Sequence, residues 1–186
     1  MSRAILLAGL AWSAATASLA QAHDAPPVVT AASSAGSAAS IHASMDVAAP
    51  PAVVWATLID CEHATRFMPK LISCKVLQKD PAGRWEVREH RLRGGLLKAE
   101  MRNVFRADFT APRRLAFHRV AGDWKRSEGE WNLSTIAGGG GTHVDYRTEV
   151  AVNGPVPVAL VRQAVAKGMP QAMLALRRGA VSRAHR

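Results

Sequence analysis

Val47-Ala48-Ala49-Pro50-Pro51-Ala52-Val53-Val54-Trp55-Ala56-Thr57-Leu58-Ile59-Asp60, running on through Met68-Pro69 to the segment Leu71 to Leu77, decides the fold. An alternating apolar segment, Ile41 to Val47, precedes it and stops at Ala49-Pro50-Pro51. Residues 52–59 then carry helical spacing, and Asp60 follows. A second helical segment ends at Met68-Pro69, and a new alternating run begins at Leu71. Alternation with period two marks half-buried strands, and proline stops them. The order is strand, proline stop, short amphipathic helix, second helical turn, proline, strand.

Beyond Leu77 the period-two pattern continues, broken by turn chemistry at Asp80-Pro81-Ala82-Gly83, Gly94-Gly95, Thr110-Ala111-Pro112-Arg113, Gly122-Asp123 and the glycine run 138–141. Trp85, Val87, Glu89 and Arg91 share one face of their segment; Glu86, Arg88, His90 and Leu92 share the other. Leu97, Ala99, Met101, Asn103 and Phe105 share a face on the next segment. Leu115, Phe117 and Arg119 follow, then Gly129, Trp131 and Leu133, then Val144, Tyr146, Thr148 and Val150. This is an antiparallel meander with one apolar and one charged face. After Pro155-Val156-Pro157 the period becomes helical, with Val158, Val161, Val165, Ala172, Met173 and Leu176 on one stripe. Pro170 is expected to bend this helix. The pattern predicts an α+β fold: a curved antiparallel seven-stranded sheet on a long C-terminal helix, with two short helices after strand 1. An apolar sheet face needs cover, and only the last helix is long enough to supply it.

The N-terminal end reads as a signal peptide over residues 1–22. Arg3 is its positive region, residues 4–17 carry no charge, and Ala20-Gln21-Ala22 is a cleavage pattern. No segment has the ~18 uninterrupted apolar residues of a membrane span. The expected location is periplasmic or secreted. Residues 23–39 are rich in Ala, Ser, Pro and Gly and are expected to form a flexible leader. Residues 40–183 then make a single ligand-binding domain. Cys61 and Cys74 are the two cysteines; an even count in an oxidising compartment favours a bridge between them.

The net charge is +10, with arginines spread along the alternating segments rather than gathered in a block. That pattern suits a solvated sheet face, or attraction to an anionic membrane surface, and the export signal argues against nucleic acid. The seven histidines show no helical or short ligand spacing, so no metal site is expected, and no cofactor motif is present. Gly138 to Gly141 lacks the Lys-Ser/Thr of a phosphate loop and reads as a hairpin tip. Asp60 reads as a helix cap rather than a catalytic acid.

The order of elements, with Ala49-Pro50, Val54-Trp55, Leu58 and Asp60, then Pro69, then Gly129-x-Trp131-x-Leu133 and Gly141-Thr142-x-Val144-x-Tyr146, resembles the START-like (SRPBCC) superfamily. Within it the chain is most similar to the polyketide cyclase/dehydrase and coenzyme-Q-binding-protein group. The resemblance spans Ile41 to Arg178. It implies a helix-grip fold with a deep apolar cavity for lipids, isoprenoids, quinones or polyketides, and it carries no universal catalytic residue. The signal peptide departs from the usual setting of the coenzyme-Q members.

The strand phases place Trp85, Met101, Phe117, Trp131 and Tyr146 inward, with Met173 from the helix, as ligand-binding side chains. Glu89, Arg91, Asn103 and Arg119 fall in the same phase. A buried charge is costly unless paired, so Glu89 with Arg91 or Arg119 would form a polar end that orients a ligand. The reading is a binding or carrier protein for a hydrophobic small molecule, favoured over an enzyme. One alternative is a cyclase or dehydratase using Glu89, Tyr146 or Arg119 in the same cavity. Another is a basic accessory protein on a membrane surface. Oligomeric state is not legible.

Overall fold

One antiparallel sheet in the order β1-β2-β8-β7-β6-β5-β4-β3 organises the chain, in a computed structural model that describes residues 24–34, 38–94 and 99–186. The strands are β1 Val28–Ser34, β2 Ala38–Val47, β3 Leu71–Lys79, β4 Trp85–Arg93, β5 Glu100–Thr110, β6 Arg114–Gly122, β7 Trp124–Thr135 and β8 Thr142–Val152. Helix α1 (Pro51–Leu58) and a 3-10 turn (Ala64–Arg66) link β2 to β3, and helix α2 (Val158–Ala184) closes the chain. The signal peptide expected over residues 1–22 lies outside the described residues, as do positions 95–98, including the alternation at Leu97.

The sheet has eight strands, not seven, because residues expected to be a flexible leader form β1. It pairs with β2 from Val28↔Ser44 to Ser34↔Ala38. Alanine and serine hide this strand from a composition reading, since backbone ladder bonds need no large side chain. Val29 and Ala31 do add apolar contact, packing on the cluster of Ala39, Ile41, Val150 and Val161.

Alternate residues of β2 (Ala39, Ile41, Ala43, Met45 and Val47) are buried. α2 packs chiefly on β2, β1 and α1, and less on β8. The main core gathers Met45, Val47, Val54, Trp55, Leu115, Leu133, Val144, Met173 and Leu176. Each fully buried side chain of this kind contributes roughly 1.5–3 kcal/mol. α2 is helical throughout Val158–Ala184, with Pro170 inside it.

The deciding stretch folds as its prolines dictate. Pro51 occupies the first turn of α1, where a missing N–H costs nothing. The Thr142 hydroxyl donates to the Ala49 carbonyl (2.6 Å), fixing the entry to α1 against β8. The Cys61–Cys74 disulfide ties the segment after α1 to β3, with Cα atoms 5.4 Å apart. Asp60 accepts the backbone N–H of His63 (3.1 Å) and a guanidinium N–H of Arg183 (2.6 Å). It therefore caps the turn and holds the end of α2, as a structural residue. Burial pushes its carboxyl up, but the hydrogen bonds from His63 and Arg183 outweigh that and leave it below the usual range.

Candidate functional site

The inner face of the sheet is fixed by register. Ala43↔Tyr146, Tyr146↔Trp131, Trp131↔Leu115 and Gly129↔Phe117 carry the core phase of β2 across β8, β7 and β6. Phe117↔Ala107 and Arg119↔Phe105 extend it to β5. Phe105↔Arg88, Asn103↔His90 and Met101↔Leu92 extend it to β4. Thus Met101, Asn103, Phe117, Arg119, Trp131 and Tyr146 lie inward, as their alternation predicts. Met173 is fully buried within the core cluster.

β4 lies in the opposite phase from the expected one. Its inner set is Glu86, Arg88, His90 and Leu92, so Trp85, Val87, Glu89 and Arg91 face outward. Trp85 lies under the Arg106 guanidinium, 4.4 Å from its ring centre. Glu89 binds Arg102 (2.5 Å) and Arg91 (3.5 Å) on the outer face, and Arg91 also reaches Glu100 (3.2 Å). The hydrogen bond from Arg102 holds the Glu89 carboxyl below the usual range. The expected Glu89–Arg91 pair exists, but it is a surface pair and not the polar end of a pocket. The alternation misleads because the largest apolar residue of the outward set, Trp85, is covered by the Arg106 guanidinium rather than by core.

Inside, the polar groups are satisfied unequally. Arg88 is 5 % exposed. It donates through Nε to Glu86 (2.8 Å) and through Nη2 to the Ile59 carbonyl (2.8 Å), and lies 5.5 Å from the Phe109 ring centre. It is a buried cation paired with Glu86 that locks β4 to the end of α1. His90 is 8 % exposed and meets the Phe105 ring edge to face at 4.8 Å. Burial, and then the Arg88 charge, push its pKa down to about 4, so the imidazole is neutral at physiological pH. Asn103 donates through Nδ2 to the Ser127 hydroxyl (3.3 Å), and Arg119 donates through Nη2 to the Gly122 carbonyl (3.2 Å). His90 Nε2, Asn103 Oδ1 and Arg119 Nε are buried with no hydrogen-bond partner among the described residues. Native interiors hold few such atoms, because each costs roughly 1–3 kcal/mol.

Beside this polar end lies an aromatic wall. Tyr146 stacks near-parallel on Phe117 at 6.2 Å and tilts against Trp131 at 4.2 Å. Phe105 meets Phe117 edge to face at 6.0 Å. Gly129 makes room for this wall: a Cβ there would lie 2.9 Å from Phe117 Cζ and 2.8 Å from the Thr148 backbone. Thr148 donates to the Glu128 carbonyl (2.8 Å). Burial, opposed by a hydrogen bond with Thr148, pushes the Tyr146 hydroxyl up to about 12, so it stays protonated. Phe109, Phe117, Trp131 and Tyr146 are only partly buried, although they face the helix side of the sheet. α2 packs on the β1, β2 and α1 side and leaves this aromatic half of the inner face less covered, with the polar groups of β4 to β6 at one end of it.

The comparisons with known proteins agree with this architecture. The family model described as "Polyketide cyclase / dehydrase and lipid transport" matches residues 47–177. Among solved structures, a STAR-related lipid transfer protein from Xanthomonas axonopodis superposes with a TM-score of 0.71 at 17% identity, covering 84% of this chain and 94% of that one. A START superfamily protein from Mycobacterium smegmatis gives 0.68 at 16% identity, covering 77% and 97%. The Zhui aromatase/cyclase from Streptomyces sp. R1128 gives 0.63 at 16% identity, covering 80% and 94%. No curated protein sequence matches the chain significantly. With the eight-stranded sheet, the long C-terminal helix and a family match over most of its length, the chain belongs to the polyketide cyclase/dehydrase and lipid transport family, and its fold is START-like.

Proposed function

We propose that this protein binds or carries a hydrophobic small molecule, a lipid, isoprenoid or polyketide-like compound, in the recess between α2 and the inner face of the sheet. The observation that carries the reading is the wall of Phe109, Phe117, Trp131 and Tyr146, inward yet only partly buried. An apolar occupant would gain about 25 cal/mol per Å² covered there, before ordering costs. The structural relatives, among them a lipid transfer protein and an aromatase/cyclase, point to the same class of ligand. Native mass spectrometry of purified protein, with organic extraction of copurified material, tests it. A bound apolar compound is the expected result. Protein that is empty and also fails to take up a fluorescent apolar probe such as anilinonaphthalene sulfonate would refute it.

A second reading, cyclase or dehydratase chemistry in the same recess, draws on one observation: a neutral buried imidazole with an unengaged Nε2 at His90, opposite Asn103 on the inner face. Glu89 has no part in it. Turnover that disappears in His90→Gln while ligand binding persists would support it.

The reading includes export, supported by Arg3, Ala20-Gln21-Ala22 and the Cys61–Cys74 disulfide. Amino-terminal sequencing of protein from a periplasmic fraction should begin at His23. It also includes contact with anionic membrane, supported by Met68, Ile72, Val76 and Leu77, exposed by 37–47% among the exposed Lys70, Lys75 and Lys79. Val76, Leu77 and Lys79 also line an open groove of about 410 Å³ along this sheet edge.

A further inference from the structure

Resting on the reading that the recess takes an apolar ligand, we infer that the ligand ends in a carboxylate, held by Arg119, Asn103 and His90. The register sets the three residues at neighbouring positions on adjacent strands β4, β5 and β6. His90 and Asn103 stand opposite each other on β4 and β5, and Asn103 stands opposite Gly122. Arg119 folds onto the carbonyl of that same Gly122. All three belong to the inner phase, and each keeps one buried polar atom unengaged among the described residues.

Their chemistry selects the ligand end. Arg119 Nε is an obligatory donor. His90 is neutral, and its Nε2 donates or accepts according to tautomer. The Asn103 amide binds the Ser127 hydroxyl, which itself donates or accepts, so a flip of the amide turns Nδ2 toward the recess without losing that bond. The three can all be donors together, but they cannot all be acceptors. They therefore fit an acceptor-only group. Charge narrows the choice. Glu86 neutralises Arg88, whereas no carboxylate pairs with Arg119 among the described residues. One uncompensated cation matches one negative charge. A phosphate monoester, near −2 at neutral pH, would leave a charge buried without a counter-ion. An ester or alcohol offers the half-buried Arg119 no counter-charge. The aromatic wall of Phe117, Tyr146 and Trp131 adjoins this end and would take the apolar chain.

The test compares dodecanoic and hexadecanoic acids with their methyl esters at neutral pH, by displacement of anilinonaphthalene sulfonate from the full protein. The acids should bind at least tenfold tighter than the esters. Arg119→Gln should erase that difference with little effect on ester affinity, while Arg91→Gln, on the outer face, should preserve it. The His90 ring nitrogen signals should move with acid and not with ester. Equal, tight binding of acid and ester by the unaltered protein overturns the carboxylate inference and leaves apolar binding standing. Failure of acid, ester and probe alike to bind overturns both. The comparison on unaltered protein decides the matter even if Arg119→Gln does not fold.

Discussion

The His90 imidazole meets the Phe105 ring edge to face, with centroids 4.8 Å apart, and its Nε2 is left without a partner among the described residues. A dry, aromatic site of this kind favours the neutral ring, and the neighbouring Arg88 charge adds to the effect, bringing the pKa to about 4 from an ordinary 6.5.

That depression has a definite sign for stability. Below pH 6.5 the unfolded chain takes up a proton that the folded chain refuses until about pH 4. The contribution of His90 is therefore complete above the unfolded value and is lost as pH falls between the two. The loss is on the order of 3 kcal/mol across the whole window. Urea unfolding at pH 7 and pH 4.5 should show a smaller acid loss in His90→Gln than in the parent protein. Equal losses in both would mean that other groups drive the acid sensitivity.

The phase of β4 separates two sets of substitutions. Trp131→Ala removes a ring 4.2 Å from Tyr146 on the inner face and should weaken apolar probe binding by roughly 10-fold or more. Trp85→Ala and Glu89→Gln alter outer-face contacts with Arg106, Arg102 and Arg91, and should leave binding unchanged. Probe titration of the three variants is sufficient. A large loss in Glu89→Gln would return β4 to the phase that its apolar residues suggest.

The sequence carried most of this arrangement, but not the parity of β4. The proline stops, the alternation of β5 to β8 and the helical stripe to Leu176 all appear in the structure where their periods predict. β1 was hidden because Ala and Ser leave no hydrophobic period, although its backbone pairs fully. β4 runs against its own pattern because Trp85 and Val87 look like core. Yet antiparallel partners keep a constant number sum. Any turn of an even number of residues around Gly94-Gly95 makes that sum odd, as the observed Arg93↔Glu100 does. Even-numbered β4 residues must then share a face with Met101, Asn103 and Phe105. With that register the hairpin brings Arg88 and His90 inside. Local hydrophobicity failed at that point because the inner end of the recess is polar, as functional interiors often are.

The disulfide offers a separate measurement. It closes a loop of sequence separation 13 between the segment after α1 and β3. In the chain-entropy model a loop of that size is worth about 3 kcal/mol. Cys61→Ser with Cys74→Ser should lose about that much in urea unfolding, and reductant should destabilise the parent but not the double variant. An unchanged unfolding midpoint on reduction would show that the bridge constrains little.

β3 should govern membrane contact. Lys75 and Lys79 are exposed beside the exposed Ile72, Val76 and Leu77 on a sheet edge. Each cation near an anionic surface is worth about 1 kcal/mol at low salt and is screened as salt rises. Lys75→Glu with Lys79→Glu should cut co-sedimentation with phosphatidylserine-containing vesicles about tenfold or more. Neutral phosphatidylcholine vesicles should capture little of either protein. Binding that ignores both salt and the two charge reversals would move the contact elsewhere.

Gly179 tests how α2 is fastened. A Cβ there would sit 2.6 Å from Cδ1 and 2.9 Å from Cε1 of Phe67, and 3.2 Å from Cγ2 of Thr57. Replacing a helix-interior glycine by alanine ordinarily adds about 1 kcal/mol. Here the ring must shift, and overpacking costs roughly 1–3 kcal/mol. Gly179→Ala should therefore fail to stabilise the parent protein, whereas in a Phe67→Leu background, with the ring gone, the helix-propensity gain should reappear. A double-mutant cycle should give a coupling of about 1–2 kcal/mol between the two positions. Full stabilisation by Gly179→Ala alone would mean that the contact is loose. A tight contact, together with the Asp60–Arg183 bond, pins the C-terminal half of α2 to the segment after α1. Any movement of α2 that admits ligand must then come from its N-terminal half, beside Val158 and Val161.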